Sequence, residues 1–232
     1  MMLPVVILVA IAGLAAGAPN PKPSLIRQCE NIECPDYAQL EVLRPDMWKM
    51  SVKPGRWVGR MAETCNKTDA FLSVIKYLDD YFIDNGMERT LPIVLEVIKN
   101  KQRWNSSSYC SRQMEESYPC CEVLYNLLFY IPRASQESAP HPSKESGMRL
   151  YPIPYRLVFY VISFDGQPTD RNVSEKFQEI TEYLEDQRIP FDDDYYYIAT
   201  DYPSGLAPYR NEILIASSTR NSESDKTAMA NS

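Results

Sequence analysis

Two segments of this chain place apolar residues at helical spacing against a polar opposite face. Over 69–85 the stripe is Phe71, Ile75, Leu78 and Phe82, with Asp69, Ser73, Lys76, Asp79 and Asp80 outside. Thr68 is the expected N-cap, and Asn85-Gly86 the expected stop. Over 172–188 the stripe is Val173, Phe177, Ile180 and Leu184, with Glu175, Lys176, Glu179, Glu182 and Glu185 outside. The stripes superpose at one offset of 102, pairing Phe71 with Val173 and Phe82 with Leu184. That offset also aligns Trp57-Val58 with Phe159-Tyr160, and 93–98 with 195–200. A strand–helix–strand triple repeated at a fixed distance predicts a duplicated β–α–β unit, although the residue identities are not repeated.

Shorter runs rich in β-branched and aromatic residues, bounded by Pro or Gly, predict strands at 37–43, 47–53, 122–131, 156–164, 195–200 and 211–216. With the segments flanking the first helix, this gives about eight strands and two helices. The expected fold is α+β: a distorted antiparallel eight-stranded β-barrel made from two β–α–β halves, with both helices packed outside. Neither half buries its strands alone, so the halves must close on one another. Residues 100–119 carry few apolar positions and read as a loop. Residues 133–154, Pro- and Ser-rich around Pro140-His141-Pro142, read as the linker between halves.

The N-terminus breaks both patterns. Leu3 to Ala16 is unbroken apolar sequence ending in Ala15-Ala16-Gly17-Ala18, the form of a signal peptide and too short to span a bilayer. The expected organisation is a signal peptide at 1–17, an extension at 18–33, a barrel domain at 34–217 with halves at about 34–132 and 149–217, and a disordered tail at 218–232. No later segment is long and apolar enough for a transmembrane helix. The chain is expected to be secreted.

Cysteine usage agrees with that expectation. All six cysteines (Cys29, Cys34, Cys65, Cys110, Cys120 and Cys121) follow the signal segment, an even number suited to disulfides. The sequence leaves their 15 possible pairings open. Three glycosylation acceptors follow the signal as well: Asn66, Asn105 and Asn172. The formal charge of −7 argues against nucleic-acid binding, which needs a basic face.

Catalytic patterns are poorly represented. The single histidine, His141, sits between two prolines, far from the setting of a catalytic base. No nucleophile elbow, P-loop or dinucleotide fingerprint occurs, and one His with oxidised cysteines leaves no zinc set, so no metal is expected. Asp192-Asp193-Asp194 lacks calcium-loop spacing and reads as a solvated turn. Arg56, Arg60 and Arg210 stand beside Trp57, Met61 and Tyr209. Such a mix lines a pocket for a flat apolar ligand with carboxylate tails, and it equally describes core aromatics with surface arginines.

The run Asp194-Tyr195-Tyr196-Tyr197-Ile198-Ala199, then Pro203, then 208–215 (Pro-Tyr-Arg-Asn-Glu-Ile-Leu-Ile), resembles the C-terminal signature of the SOUL heme-binding protein family. Gly55-Arg56-Trp57-Val58, Arg89-Thr90-Leu91-Pro92-Ile93, Phe129-Tyr130-Ile131-Pro132 and Phe164-Asp165-Gly166 are similar to its other segments, in the same order. Cys34-Pro35-Asp36-Tyr37 resembles the opening of secreted members, and the likeness spans about 34–216.

The resemblance implies an eight-stranded barrel with two helices built from a repeated half, and heme or another tetrapyrrole in an apolar groove beside the first helix. It implies a binding protein and no enzyme, with heme as ligand, no cofactor needed for folding, and the oligomeric state open. Some members carry a histidine just before the Trp-Val segment; here that stretch reads Met50-Ser51-Val52-Lys53. Where members bring basic residues and methionines from the first helix, this chain has Leu72, Ile75, Asp79 and Asp80. The expected ligand-binding residues are therefore Arg56, Arg60, Met61, Phe71, Leu72, Ile75 and Arg210, with Tyr, Met or no protein ligand open at iron. A binding module for a different apolar small molecule, or an interaction protein with no such ligand, are the alternatives.

Overall fold

The computed structural model describes residues 29, 32–62, 64–99, 123–201 and 210–218. The signal segment 1–17, most of the 18–33 extension, the 100–119 loop with Asn105 and Cys110, Cys120, Cys121, residues 202–209 and the tail beyond 218 lie outside them.

The strands are β1 (Tyr37–Arg44), β2 (Met47–Val52), β3 (Gly55–Met61), β4 (Ile93–Lys99), β5 (Val123–Tyr130), β6 (Met148–Ile153), β7 (Leu157–Asp165), β8 (Tyr195–Thr200) and β9 (Arg210–Ala216). Helix α1 (Lys67–Asp84) follows β3, and α2 (Asp170–Asp186) follows β7. All nine strands form one antiparallel sheet ordered β1-β2-β7-β9-β8-β4-β5-β3-β6, curled into an incomplete barrel whose edges β1 and β6 do not pair. The fold is α+β, with nine strands in place of the expected eight.

Setting β1 aside, the order reads symmetrically: β2-β7-β9-β8 mirrors β6-β3-β5-β4. The halves exchange an outer strand, β2 pairing with β7 and β6 with β3, and join directly along β4–β8. The 102 offset holds for β3 with β7 and for the helix stripes. Val58 and Tyr160 both pack against the helices, as do Leu78 and Ile180. At β4 and β8 it fails by one position, since Leu95 and Ile198 share a face and are paired to each other. A one-residue slip in a strand sends every side chain to the opposite face, which the segment boundaries alone do not reveal.

The linker expectation at 133–154 is corrected by β6. Pro152 argues against a strand, yet β6 is an edge, where a missing N–H costs no ladder bond. Both helices begin two residues earlier than expected. Asn66, not Thr68, caps α1: its backbone is extended and its side chain accepts from Asp69 N–H at 3.0 Å, while Thr68 lies in the first turn. Thr169 caps α2 by accepting from Asn172 N–H.

Each face of the sheet has its own core. Between sheet and helices lie Phe71, Leu78, Phe82, Ile180 and Leu184 with strand residues such as Val58, Phe129 and Ile213. The inner face of the curl is lined by Trp48, Trp57, Val94, Leu128, Phe159 and Leu214. Cys29 and Cys34 are disulfide-bonded. Cys65, just ahead of α1, is also disulfide-bonded, and its partner lies outside the described residues. No described helix is long and apolar enough to cross a membrane.

Candidate functional site

The β4–β8 junction places the N-termini of both helices over the same part of the sheet. Between them opens a cleft of about 200 Å³. Its floor is Leu95, Ile198 and Thr200, one wall is Lys67, Thr68, Phe71 and Leu72 of α1, and the other is Gln167, Pro168 and Thr169 ahead of α2. Phe71 is almost buried, whereas Leu72 is 59% exposed and forms an apolar rim.

A buried polar chain fixes the second wall. Thr200 Oγ1 donates to Asn211 Oδ1 at 2.8 Å, and Asn211 Nδ2 donates to Gly166 O at 2.6 Å. Gly166 adopts φ +92°, a region glycine reaches without strain, and turns the chain into the cleft lip.

Lys67 closes one end of the cleft. Its Nζ donates to Pro168 O at 2.7 Å and pairs with Asp170 Oδ1 at 2.8 Å. The lysine side chain is 11% exposed and the aspartate 84%, so a nearly buried ammonium meets a solvated carboxylate. Both capped helix N-termini also point their positive dipole ends here, with Asp69 and Asp170 in their first turns. The cleft therefore combines apolar walls with one nearly buried ammonium, which Asp170 faces at the rim.

Tyr196 packs behind Ile198 with its ring 4.4 Å from that of Phe177. Burial, reinforced by Tyr125 and Asp170, pushes its phenol up to about 12. It is a neutral hydroxyl at physiological pH.

Of the residues expected from sequence, Phe71 and Leu72 line the cleft; the others do not. Ile75 is half-buried against the core one turn further along α1. Arg60 lies 3.7 Å over the Tyr77 ring. Arg56 donates to Glu137 O, and Arg210 pairs with Asp165 while its backbone N–H bonds Asp201. Met61 sits at the end of β3 opposite Asn126. The three arginines thus serve three separate neighbourhoods. Lys67, Leu95, Ile198 and Thr200 were missed, because strand pairing alone brings together residues more than a hundred positions apart.

Among the described residues, no His, Cys, Met or Tyr lines the cleft. His141 borders a different hollow, shared with Tyr77, Asp80 and Asp84. Asp192, Asp193 and Asp194 gather in the turn before β8, where Lys99 pairs with Asp193.

The chain matches the profile of the SOUL heme-binding protein family over residues 32–216. No curated protein matches it. Among solved structures it is similar to the EcmrR C-terminal domain at 9% identity and TM-score 0.48, over 73% of this chain and 95% of that one. A hydrolase from Listeria innocua is similar at 8% identity and TM-score 0.44, over 73% and 90%. SAV2435 bound to tetraphenylphosphonium is similar at 12% identity and TM-score 0.41, over 81% and 95%.

Proposed function

Because this chain belongs to the SOUL heme-binding protein family, we propose that it is a secreted, non-catalytic carrier or scavenger of heme or a related tetrapyrrole, held at the cleft between the helix N-termini. One observation carries the choice of site: apolar walls and a nearly buried lysine meet there and nowhere else along α1 among the described residues. Phe71, Leu72, Leu95 and Ile198 suit the apolar face of a macrocycle. Lys67 and the helix N-termini suit its carboxylates.

Fit is incomplete in two respects. Small-molecule sites commonly exceed about 300 Å³, and this cleft is about 200 Å³. Exposed Leu72 would extend the apolar surface for the part of a macrocycle that the cleft does not enclose. The described lining also offers no His, Cys, Met or Tyr for iron, and what it does offer suits the organic ring and its carboxylates. That favours a second reading in which the ligand need not contain iron.

Secretion is supported by the apolar run from Leu3 to Ala16 and by the disulfide-bonded Cys29, Cys34 and Cys65. The test is a titration of protein from a secretory host with hemin and with metal-free protoporphyrin, following the Soret band and Tyr/Trp quenching. Saturation by both at micromolar ligand is expected. No saturation by either, against a denatured control, overturns the proposal, and saturation by hemin alone overturns iron-independent recognition.

A further inference from the structure

The inner face of the curled sheet holds a polar group that neither the core nor the tetrapyrrole reading uses. A cavity of about 90 Å³ lies there, walled by Trp57, Val94, Leu128, Phe159, Tyr197 and Leu214 among others. Strand side chains alternate, so two residues beyond Val94 on the same face is Glu96, and two beyond Leu128 is Asn126. These two are paired across β4 and β5, and Tyr197 is paired with Glu96 across β4 and β8.

The three side chains form a fixed set. Asn126 Nδ2 donates to Glu96 Oε2 at 2.9 Å, and Tyr197 Oη donates to Glu96 Oε1 at 3.2 Å. Asn126 is 2% exposed, and its Oδ1 is buried without a hydrogen-bond partner. Flipping the amide would not help, because the carboxylate needs the N–H side. The carboxylate takes the Asn126 amide N–H and the Tyr197 hydroxyl, Tyr151 borders Asn126 and Glu96, and no Lys or Arg among the described residues pairs with Glu96. A buried acceptor left unmatched is costly and calls for an explanation.

Aromatic rings enclose the acceptors. Tyr197 meets Phe159 edge-on at 5.6 Å and Tyr195 edge-on at 5.7 Å. Tyr151 approaches from β6 across Gly59, where an added Cβ would stand 3.1 Å from the Tyr151 ring and 2.8 Å from Leu127 O. Burial holds the Tyr151, Tyr195 and Tyr197 phenols above their usual range, and Glu96 adds to that shift in each, so all three remain neutral. Arg149 also borders Tyr151, but it is exposed.

A carboxylate, a surplus acceptor and several ring faces beside an apolar cavity are complementary to a donor-bearing or quaternary cation with an apolar body. We propose that the inner face is a second ligand site, taking a small organic cation whose charged group sits at Glu96 and whose apolar part enters the cavity by Val94 and Leu128. This site lies on the opposite side of the sheet from the Lys67 cleft, and the two have opposite charge preference.

The test is calorimetric titration of the full secreted chain with phenyltrimethylammonium, with benzoate as the aromatic anion for comparison. Saturable binding of the cation and none of benzoate at this site is expected. Glu96→Gln keeps the shape, exchanges one acceptor oxygen for a donor and removes the charge, and should weaken the cation about tenfold. Tyr195→Leu removes the ring that meets Tyr197 edge-on and should weaken cation binding severalfold, and it serves as the deciding variant if Glu96→Gln fails to fold. Lys67→Met should leave cation binding unchanged. Equal affinity in Glu96→Gln and wild type, no saturable cation binding, or loss of binding in Lys67→Met overturns the proposal.

Discussion

Lys67 and Asp170 pair across the cleft, Nζ to Oδ1 at 2.8 Å, each from the first turn of its helix. The pair joins equivalent ends of the duplicated unit, yet its members are not equivalent: the ammonium is nearly buried and the carboxylate is solvated. An anionic ligand entering the cleft competes with Asp170 for the same ammonium. Asp170→Asn should therefore tighten hemin binding severalfold, and Lys67→Met should weaken it about tenfold. Stability should change little in Asp170→Asn, about 0.5 kcal/mol or less, because so exposed a partner contributes weakly. Quenching titrations of the two variants give the answer, and equal affinities in both would remove Lys67 from the site.

Gly59 sets how closely β3 approaches its neighbours. An added Cβ would lie 2.4 Å from Leu128 Cδ2 and 2.8 Å from Leu127 O. Leu128 Cδ2 is the end of a flexible side chain, whereas the Leu127 carbonyl belongs to the backbone of the sheet. Gly59→Ala should cost about 1–3 kcal/mol through strain in a packed sheet. Urea unfolding followed by Trp fluorescence would show this as a lower midpoint at unchanged slope. A midpoint equal to wild type would mean that β3 shifts freely.

Much of this fold was legible because it depends on periodicity. The stripe of Phe71, Leu78 and Phe82 is buried as its spacing requires, and its copy at Val173, Ile180 and Leu184 packs the same way. What escaped depends on pairing between distant segments. Pro152 hid β6, since only the sheet order shows it to be an edge. Asn66 and Thr68 both suit an N-cap, and only backbone conformation separates them. The cleft was half visible: Phe71 and Leu72 lie on a predicted helix, whereas Lys67 gains its meaning from Pro168 and Asp170, which the β4–β8 pairing brings opposite. The three arginines lie apart from the cleft, and Arg60 over Tyr77 shows that an Arg near an aromatic can be a stacked pair.

Alkaline pH should loosen the molecule from within. Tyr196 is pushed up to about 12 by burial, and Tyr195 and Tyr197 are also raised, with burial the leading cause in each. A phenol raised in the folded state favours folding fully below its unfolded value near 10.0, and that contribution falls as pH climbs through the folded value. Each raised phenol costs at most ~1.4 kcal/mol per pH unit in that window. Tyr196→Phe removes one such group. Its unfolding free energy should drop less than that of wild type between neutral pH and about pH 11. Identical losses would show that Tyr196 ionises without penalty.

The sequons at Asn66 and Asn172 both stand at helix starts, but their carboxamides differ in freedom. Asn66 is exposed, and its oxygen caps α1 through Asp69 N–H, which leaves its Nδ2 directed outward. Asn172 Nδ2 donates to Gln167 O at 2.6 Å, and its Oδ1 is buried. A glycan on Asn172 would displace the turn that forms the cleft wall; one on Asn66 would disturb nothing and even keep the cap. Protein from a secretory host should therefore carry a glycan at Asn66 and none at Asn172. Thr68→Ala destroys the Asn66 sequon while retaining the capping side chain, and should abolish that site's share of the mass lost on glycosidase treatment. Asn172→Gln should leave the mass loss unchanged. A smaller loss in Asn172→Gln would mean that the Gln167 turn opens before or during modification, and that the cleft wall is assembled only after the glycan is in place.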